Sequence, residues 1–236
     1  GDFVALDKLD FSIDDGEVFG FVGPNGAGKT TTMKIMAGLI RPDGGSITIA
    51  GTDALKSDRK LKSLIGYMPD FFGVYDNLKV IEYMEFYASI YGIVGKEARD
   101  LSMDLLRLVN LEDKYDAYVD GLSRGMKQRL CLARCLVHNP DLLILDEPAS
   151  GMDPRARYEM KGILRNLKEM GKTIIVSSHI LPELGEVCTN IGIIKNGVVV
   201  CQGTVEEIMT RAAGASPIVF TVLTKEEEAI KLLKEL

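Results

Sequence analysis

The chain has no run approaching the roughly 20 apolar residues that a membrane-spanning helix requires, and its first residues lack the pattern of a signal peptide. It has no C-x-x-C pair. Its four cysteines, Cys131, Cys135, Cys188 and Cys201, have no metal-site spacing. A chain of 236 residues can bury a core large enough to dispense with disulfide staples. Reduced, mostly buried thiols are therefore expected, as in a cytosolic protein. A basic excess is missing too. Lys and Arg number 28 against 34 Asp and Glu, and the net charge of −6 gives no support to a nucleic-acid binder. Internal repeats and low-complexity segments are absent, and no N-K-x-D guanine motif is present.

What is present is an alternation of short apolar runs and helical patterns. "EVFGFV" (17–22) reads as a strand and runs into glycine-rich sequence; a helix from near Gly28 to about Leu39 follows. "RPDGG" is a turn, "SITIA" alternates as a strand, and "LIGYM" (64–68) is another. Asn77–Tyr91, Lys96–Asn110 and the stretch after Ser123 carry helical spacing and make an all-helical block over about 71–139. Pro140 is expected to stop the last of these. "DLLILDE" and "KTIIVSSH" are continuous apolar strands of the kind buried on both faces of a parallel sheet. Between them Asp153-Pro154 starts a helix, with Pro at its first position. Leu181–Cys188 reads as a short helix, and "IGIIKNGVVVCQG" as a hairpin turning at Asn196-Gly197. At the N-terminus, "GDFVALDKLDF" reads as the middle of an alternating strand region, as though the chain began inside a domain. At the other end, "SPIVFTVLTKEEEAIKLLKEL" reads as a strand and then a helix opened by Thr224 with Glu227 three residues on. The fold class expected is α/β, with a mainly parallel sheet, an N-terminal antiparallel β subdomain and an inserted helical subdomain.

The chemistry starts at "GPNGAGKTT", Gly23, Pro24, Asn25, Gly26, Ala27, Gly28, Lys29, Thr30 and Thr31. It fits G-x-x-x-x-G-K-[ST] and stands between a strand and a helix. Glycines let the backbone wrap closely and aim N–H groups at phosphate oxygens, and the helix N-terminus adds its field. Lys29 is placed to reach the β- and γ-phosphates, and Thr30 to hold Mg2+ through its hydroxyl. Asp146 ends the strand in "LLILDE" and can supply the metal's second acid, directly or through water. Glu147 follows and can orient and deprotonate an attacking water. His179 ends another buried strand, at the same sheet edge, and could donate to the γ-phosphate. His138, in the last turn of its helix, reads as a C-terminal cap with a partial positive charge.

These residues carry a resemblance. The P-loop, "LSRGM", "LLILDE", "SGMD" and His179, in that order and spacing, resemble the nucleotide-binding domain of ABC transporters over residues 1–212; residues 213–236 would begin a C-terminal extension. The resemblance implies an Mg2+-dependent ATPase working as a head-to-tail dimer. Each of two ATP molecules would lie between the P-loop of one ATP-binding domain and the signature of the other. It implies a separate transmembrane permease and a peripheral position on the cytoplasmic face of the cell membrane; with the acidic balance, no nucleic-acid partner is expected. The signature acting in trans is Leu122, Ser123, Arg124, Gly125 and Met126, where the family has LSGGQ. The variant is similar to type-two exporters, so export is the expected direction. Asp153 matches the D-loop aspartate that crosses the dimer interface. The family's Q-loop glutamine falls at Asp70, which could serve as a further Mg2+ ligand but repels the γ-phosphate. The adenine-stacking aromatic falls at or before Gly1, with Phe3 close but offset.

Two features call for structure. "FFGVY" sets Phe71, Phe72 and Tyr75 where the resemblance places the groove for the membrane partner, and at least one is expected to be exposed. Arg124, Lys127 and Arg129 crowd the start of a helix, the end where cations are misplaced. Lys127 and Arg129 are expected to point into water. Arg124 is expected to face the nucleotide of a second subunit. A soluble ABC-type ATPase with a mechanical or translational role is the alternative. It is disfavoured by the compact helical block, because chromosome and repair ATPases carry a long coiled coil there. A P-loop GTPase or small-molecule kinase would leave "LSRGM" unexplained.

Overall fold

The computed structural model describes residues 4–56, 58–71, 73 and 77–214. Its strands are β1 (Val18–Val22), β2 (Thr48–Ile49), β3 (Thr52–Asp53), β4 (Ile65–Met68), β5 (Leu142–Leu145), β6 (Thr173–Ser178), β7 (Asn190–Lys195) and β8 (Val198–Thr204). Its α-helices are α1 (Lys29–Met36), α2 (Asp58–Leu64), α3 (Val80–Ile90), α4 (Gly95–Leu108), α5 (Arg124–Leu136), α6 (Pro154–Glu169), α7 (Leu181–Leu184) and α8 (Val205–Gly214). Six strands form one sheet in the order β4-β5-β6-β1-β7-β8. All neighbours are parallel except β7 and β8. A small separate sheet, β2–β3, is antiparallel as well.

Alternate residues of the central strands feed two cores, as the period of two requires. Val18, Val22, Leu143, Leu145, Ile174 and Val176 face one side, against α5, α6 and the helical block. Phe19, Phe21, Leu142, Ile144 and Ile175 face the other, against α1 and α2. Every residue of β1 and β5 is buried, which is why both read as unbroken apolar runs. α3, α4 and α5 lie between the parallel neighbours β4 and β5, so the helical block is part of the crossover joining them. α6 begins where local chemistry says it should. Asp153 Oδ1 accepts from the Ala156 N–H at 2.9 Å, and Pro154 takes the first turn. Its buried stripe is Met160, Ile163, Leu164 and Leu167.

Four sequence expectations need correction. Residues 4–17 contain no strand. They lie against the β7–β8 hairpin through separate bonds, Asp7 N–H to Gly197 O and Gln202 Nε2 to Ser12 O, and stack a half-buried Phe11 on Phe19 and Phe21. Alternating apolar residues reached a core there without a ladder. α5 ends at Leu136, before Pro140, and Asn139 turns the chain in a left-handed conformation (φ 52°). α7 closes at Leu184, whose carbonyl takes the Val187 and Cys188 N–H groups in a turn. His138 is not a cap. A ring nitrogen, Nε2, bonds the Ile65 carbonyl, the ring stacks on Tyr91, and burial lowers its pKa, so it is held neutral. α2 was not foreseen. The stretch carrying Thr224 and Glu227 lies outside the described residues. Cys131, Cys135 and Cys188 are buried free thiols and Cys201 is half-buried.

Candidate active site

Four neighbouring parallel strands, β4, β5, β6 and β1, end at one edge of the sheet. Their extensions are Asp70, Asp146-Glu147, His179 and the P-loop, so topology alone brings the expected residues together. Between them is an open cleft of about 350 Å³, lined by Asn25, Gly26, Gly28, Lys29, Thr30, Thr31, Asp70, Glu147 and His179, with Ala5 and Ser150. Gly28 caps α1 at φ 110°, a left-handed conformation that glycine takes without a Cβ penalty. The N-terminus of α1 opens directly into this cleft.

Glu147 is the hub. Lys29 Nζ donates to the carbonyls of Gly23 (2.6 Å) and Pro24 (3.2 Å) and lies 3.4 Å from Glu147 Oε1. His179 Nδ1 lies 2.9 Å from Glu147 Oε2. An ionised carboxylate can only accept, so Nδ1 carries the hydrogen of that bond. Glu147 itself adopts φ 50°, a left-handed conformation that is uncommon outside glycine. Such strain persists where surrounding bonds over-determine it. Here Ser177 supplies one: its Oγ accepts from the Glu147 N–H at 2.9 Å and donates to Asp146 Oδ1 at 2.7 Å. Ser177, which sequence reasoning missed, thus ties both acids of "LDE" to β6. Its only sequence signal was its place one residue before the end of a buried strand.

Asp146 is 1% exposed, and its Oδ2 has no hydrogen-bond partner among the described residues. A buried carboxylate oxygen without a hydrogen-bond partner, next in sequence to a residue that lines the cleft, fits a hard cation. Thr30 stands exposed at the cleft wall, and its hydroxyl and the Asp146 carboxylate are oxygen donors of the kind that could hold Mg2+. Asp70 joins the cleft, but its pKa is raised, first by burial and then by the Asp146 and Glu147 carboxylates, with Arg124 opposing.

The signature does not line this cleft. Leu122 and Gly125 are buried, Ser123 and Arg124 exposed, Met126 half-buried. Ser123 Oγ accepts from the Met126 N–H at 3.3 Å and caps α5. One of the three misplaced cations finds partners within the chain. Arg129, expected in water, is buried. It donates to the carbonyls of Val109 (3.0 Å) and Asn110 (2.9 Å), at the C-terminal end of α4, and pairs with Glu159 of α6 at 3.2 Å. It serves the negative end of a neighbouring helix, so its own helix's dipole does not decide its position. Lys127 is half-buried. The Arg124 guanidinium lies over Gly151, where a side chain would collide with it, and its charge acts on Asp70. Asp153 is occupied as the cap of α6. Phe71 is 89% exposed; Phe72, Tyr75 and Phe3 lie outside the described residues.

The sequence pattern of the family described as "ABC transporter" matches residues 6–150. The chain belongs to the ABC transporter family. It is 40% identical over 217 residues to the Nod factor export ATP-binding protein I of Burkholderia thailandensis, covering 92% of this chain and 71% of that one. It is 38% identical to the probable multidrug ABC transporter ATP-binding protein YbhF of Escherichia coli, covering 90% of this chain and 37% of that protein. A solved ATP-binding subunit of an ABC transporter superposes with a TM-score of 0.77 at 32% identity, over 90% of this chain and 89% of that one. The cassette MJ0796, solved as a dimer after hydrolysis with ADP and Pi, also superposes with a TM-score of 0.77, at 26% identity over 85% and 90% of the two chains. As an ABC ATP-binding subunit, the chain is an ATPase that binds ATP.

Proposed function

We propose that this ABC ATPase drives export through a separate transmembrane partner, working as a pair of ATP-binding domains at the cytoplasmic face of the membrane. The observation that carries the catalytic part is the convergence of Lys29, Glu147 and His179 over the buried Asp146–Ser177 pair. P-loop N–H groups and the start of α1 hold the phosphates. Lys29 exchanges the Gly23 and Pro24 carbonyls and Glu147 for β- and γ-phosphate oxygens. Thr30 and Asp146 hold Mg2+, which supplies charge neutralisation on the phosphates, and Asp70 could add a ligand at the cost of repulsion. Glu147 orients the attacking water and takes its proton, a role worth about 10²–10⁴-fold. His179 shares its hydrogen bond between Glu147 and the γ-phosphate.

The pairing supports the same reading. Leu122–Met126 stay out of their own chain's cleft, which leaves Ser123 and the start of α5 free to meet the nucleotide of a second domain. MJ0796 was solved as a dimer. Export follows the relatives, whose names concern Nod factor export and multidrug transport. Phe71, exposed at the entry to the helical block, supports a membrane partner. Among the described residues no helix is long and apolar enough to cross a membrane. We assign residues 1–212 to the ATP-binding domain, with its helical subdomain at about 71–139, and residues 213–236 to the start of a C-terminal extension. A pull-down from solubilised membranes tests the reading. Recovery of a protein with many spanning helices supports it; recovery with ribosomes and no membrane protein contradicts it.

A further inference from the structure

The face expected to meet a second subunit and the reaction centre are joined by an ion pair with no part in binding or chemistry as described above. Arg157 stands in the first turns of α6, four residues beyond Asp153. Its Nη2 donates to the Met152 carbonyl at 3.1 Å, immediately before Asp153. Its Nη1 bonds Glu183 Oε1 of α7 at 2.6 Å. The other oxygen of Glu183, Oε2, accepts from Ser178 Oγ at 3.4 Å, and that hydroxyl accepts from the Ile180 N–H at 3.0 Å. Those contacts bracket His179 on both sides. The Ser178 carbonyl also accepts from the Gly23 N–H, where the P-loop begins.

A cavity of about 100 Å³ separates the two loops that this pair connects. Glu147–Gly151 line it on one side and Ser178, His179, Ile180 and Leu184 on the other, and Arg157 and Glu183 line it themselves. Loops across a cavity lack the dense packing that would fix their relative position. Polar links then set the spacing. Two other ion pairs run from α6 to the same segment, Lys161–Glu186 (2.8 Å) and Arg165–Glu186 (3.3 Å), but Glu186 is exposed and neither touches Met152 or Ser178. The Arg157–Glu183 pair alone of the three joins the Asp153 loop to the loop holding His179.

We propose that Arg157 and Glu183 are positioning residues that lock the Asp153 loop to the His179 loop, so that contact with a second subunit at Asp153 fixes the His179–Glu147 geometry. This rests on the ATPase reading above. Neither side chain lines the cleft that holds Lys29 and Glu147. It acts on turnover by holding His179 and Glu147 within the narrow geometry that catalysis requires.

The test is steady-state ATP hydrolysis by the whole chain carrying Arg157→Met, Glu183→Gln, both together, or Glu186→Gln. Each single change at the pair should lower kcat about tenfold and leave KM for ATP within about twofold. The double variant should fall no more than about twofold below the slower single, because the two side chains form one unit. Glu186→Gln, which breaks neighbouring links on the same helix, should keep kcat within about twofold. Unchanged kcat in both single variants overturns the proposal, as do multiplying losses or an equal loss in Glu186→Gln. Glu183→Gln preserves side-chain size, so it reads the charge even where Arg157→Met does not fold. Glu147→Gln, run alongside, separates the two readings. If it retains turnover, the assignment of Glu147 fails; if it abolishes turnover while the pair variants hydrolyse normally, only this inference fails.

Discussion

Ser177→Ala is the change whose cost can be worked most directly from the structure. Ser177 is 1% exposed and its hydroxyl serves two groups, donating to Asp146 Oδ1 and accepting from the Glu147 N–H. Removing it leaves a buried amide unpaired and strips a buried carboxylate of its donor. An orphaned buried polar group costs about 1–3 kcal/mol, more when it is charged, and neighbouring losses do not add fully, so about 2–4 kcal/mol is expected. At about 2–4 °C per kcal/mol for a chain of this size, the melting midpoint should drop by about 5–15 °C. Turnover should fall too, because the Ser177 bond helps hold Glu147 at φ 50°. Without it the residue can relax toward an ordinary conformation and carry its carboxylate away from Lys29 and His179. Urea denaturation and ATP hydrolysis, measured on the same protein, check both parts. A stability loss below about 0.5 kcal/mol, within the range of an ordinary surface substitution, would refute the reasoning.

Three further outcomes are expected. Arg129→Met should destabilise by about 2–4 kcal/mol in urea, since it leaves Glu159 and the carbonyls of Val109 and Asn110 without their buried donor; a solvated arginine would give under about 0.5 kcal/mol. Arg124→Glu should weaken ATP-driven dimerisation about tenfold by ultracentrifugation, and unaltered dimerisation would make Arg124 a surface charge. Burial lowers the pKa of His138, so the folded state binds fewer protons than the unfolded one. Its stability contribution is present above the ordinary histidine pKa of about 6.5 and is lost as pH falls through the lower folded value. The drop in melting temperature between pH 7.5 and pH 5 should therefore be smaller in His138→Gln; an equal drop contradicts the linkage.

Sequence and structure agree at several local features, though not at the ends of α5 and α7. The P-loop stands between β1 and α1, "LLIL" is a fully buried parallel strand, and Asp153-Pro154 opens α6 as its chemistry dictates. Asn196 and Gly197 turn the β7–β8 hairpin with positive φ at both positions. Agreement ends where the partner is distant in sequence. Ser177 reads as one more strand residue until β5 and β6 pair and set it beside Asp146, 31 residues away. Arg129 was judged by the dipole of its own helix, whereas its position is decided by the end of α4 and by Glu159. His138 was judged a cap on the same ground and is instead a buried neutral ring against Tyr91. The alternation in residues 4–11 reflects partial burial, with Phe11 packed on Phe19 and Phe21 and no strand partner.

The central claim is that Glu147, held between Lys29 and His179, is the base that activates water on bound ATP. Glu147→Gln tests it most directly, with ATP binding measured by calorimetry and hydrolysis under single-turnover conditions. The account predicts ATP affinity close to that of the unaltered chain and hydrolysis slowed by about 10²-fold or more. Hydrolysis at the unaltered rate, with ATP bound, would contradict it.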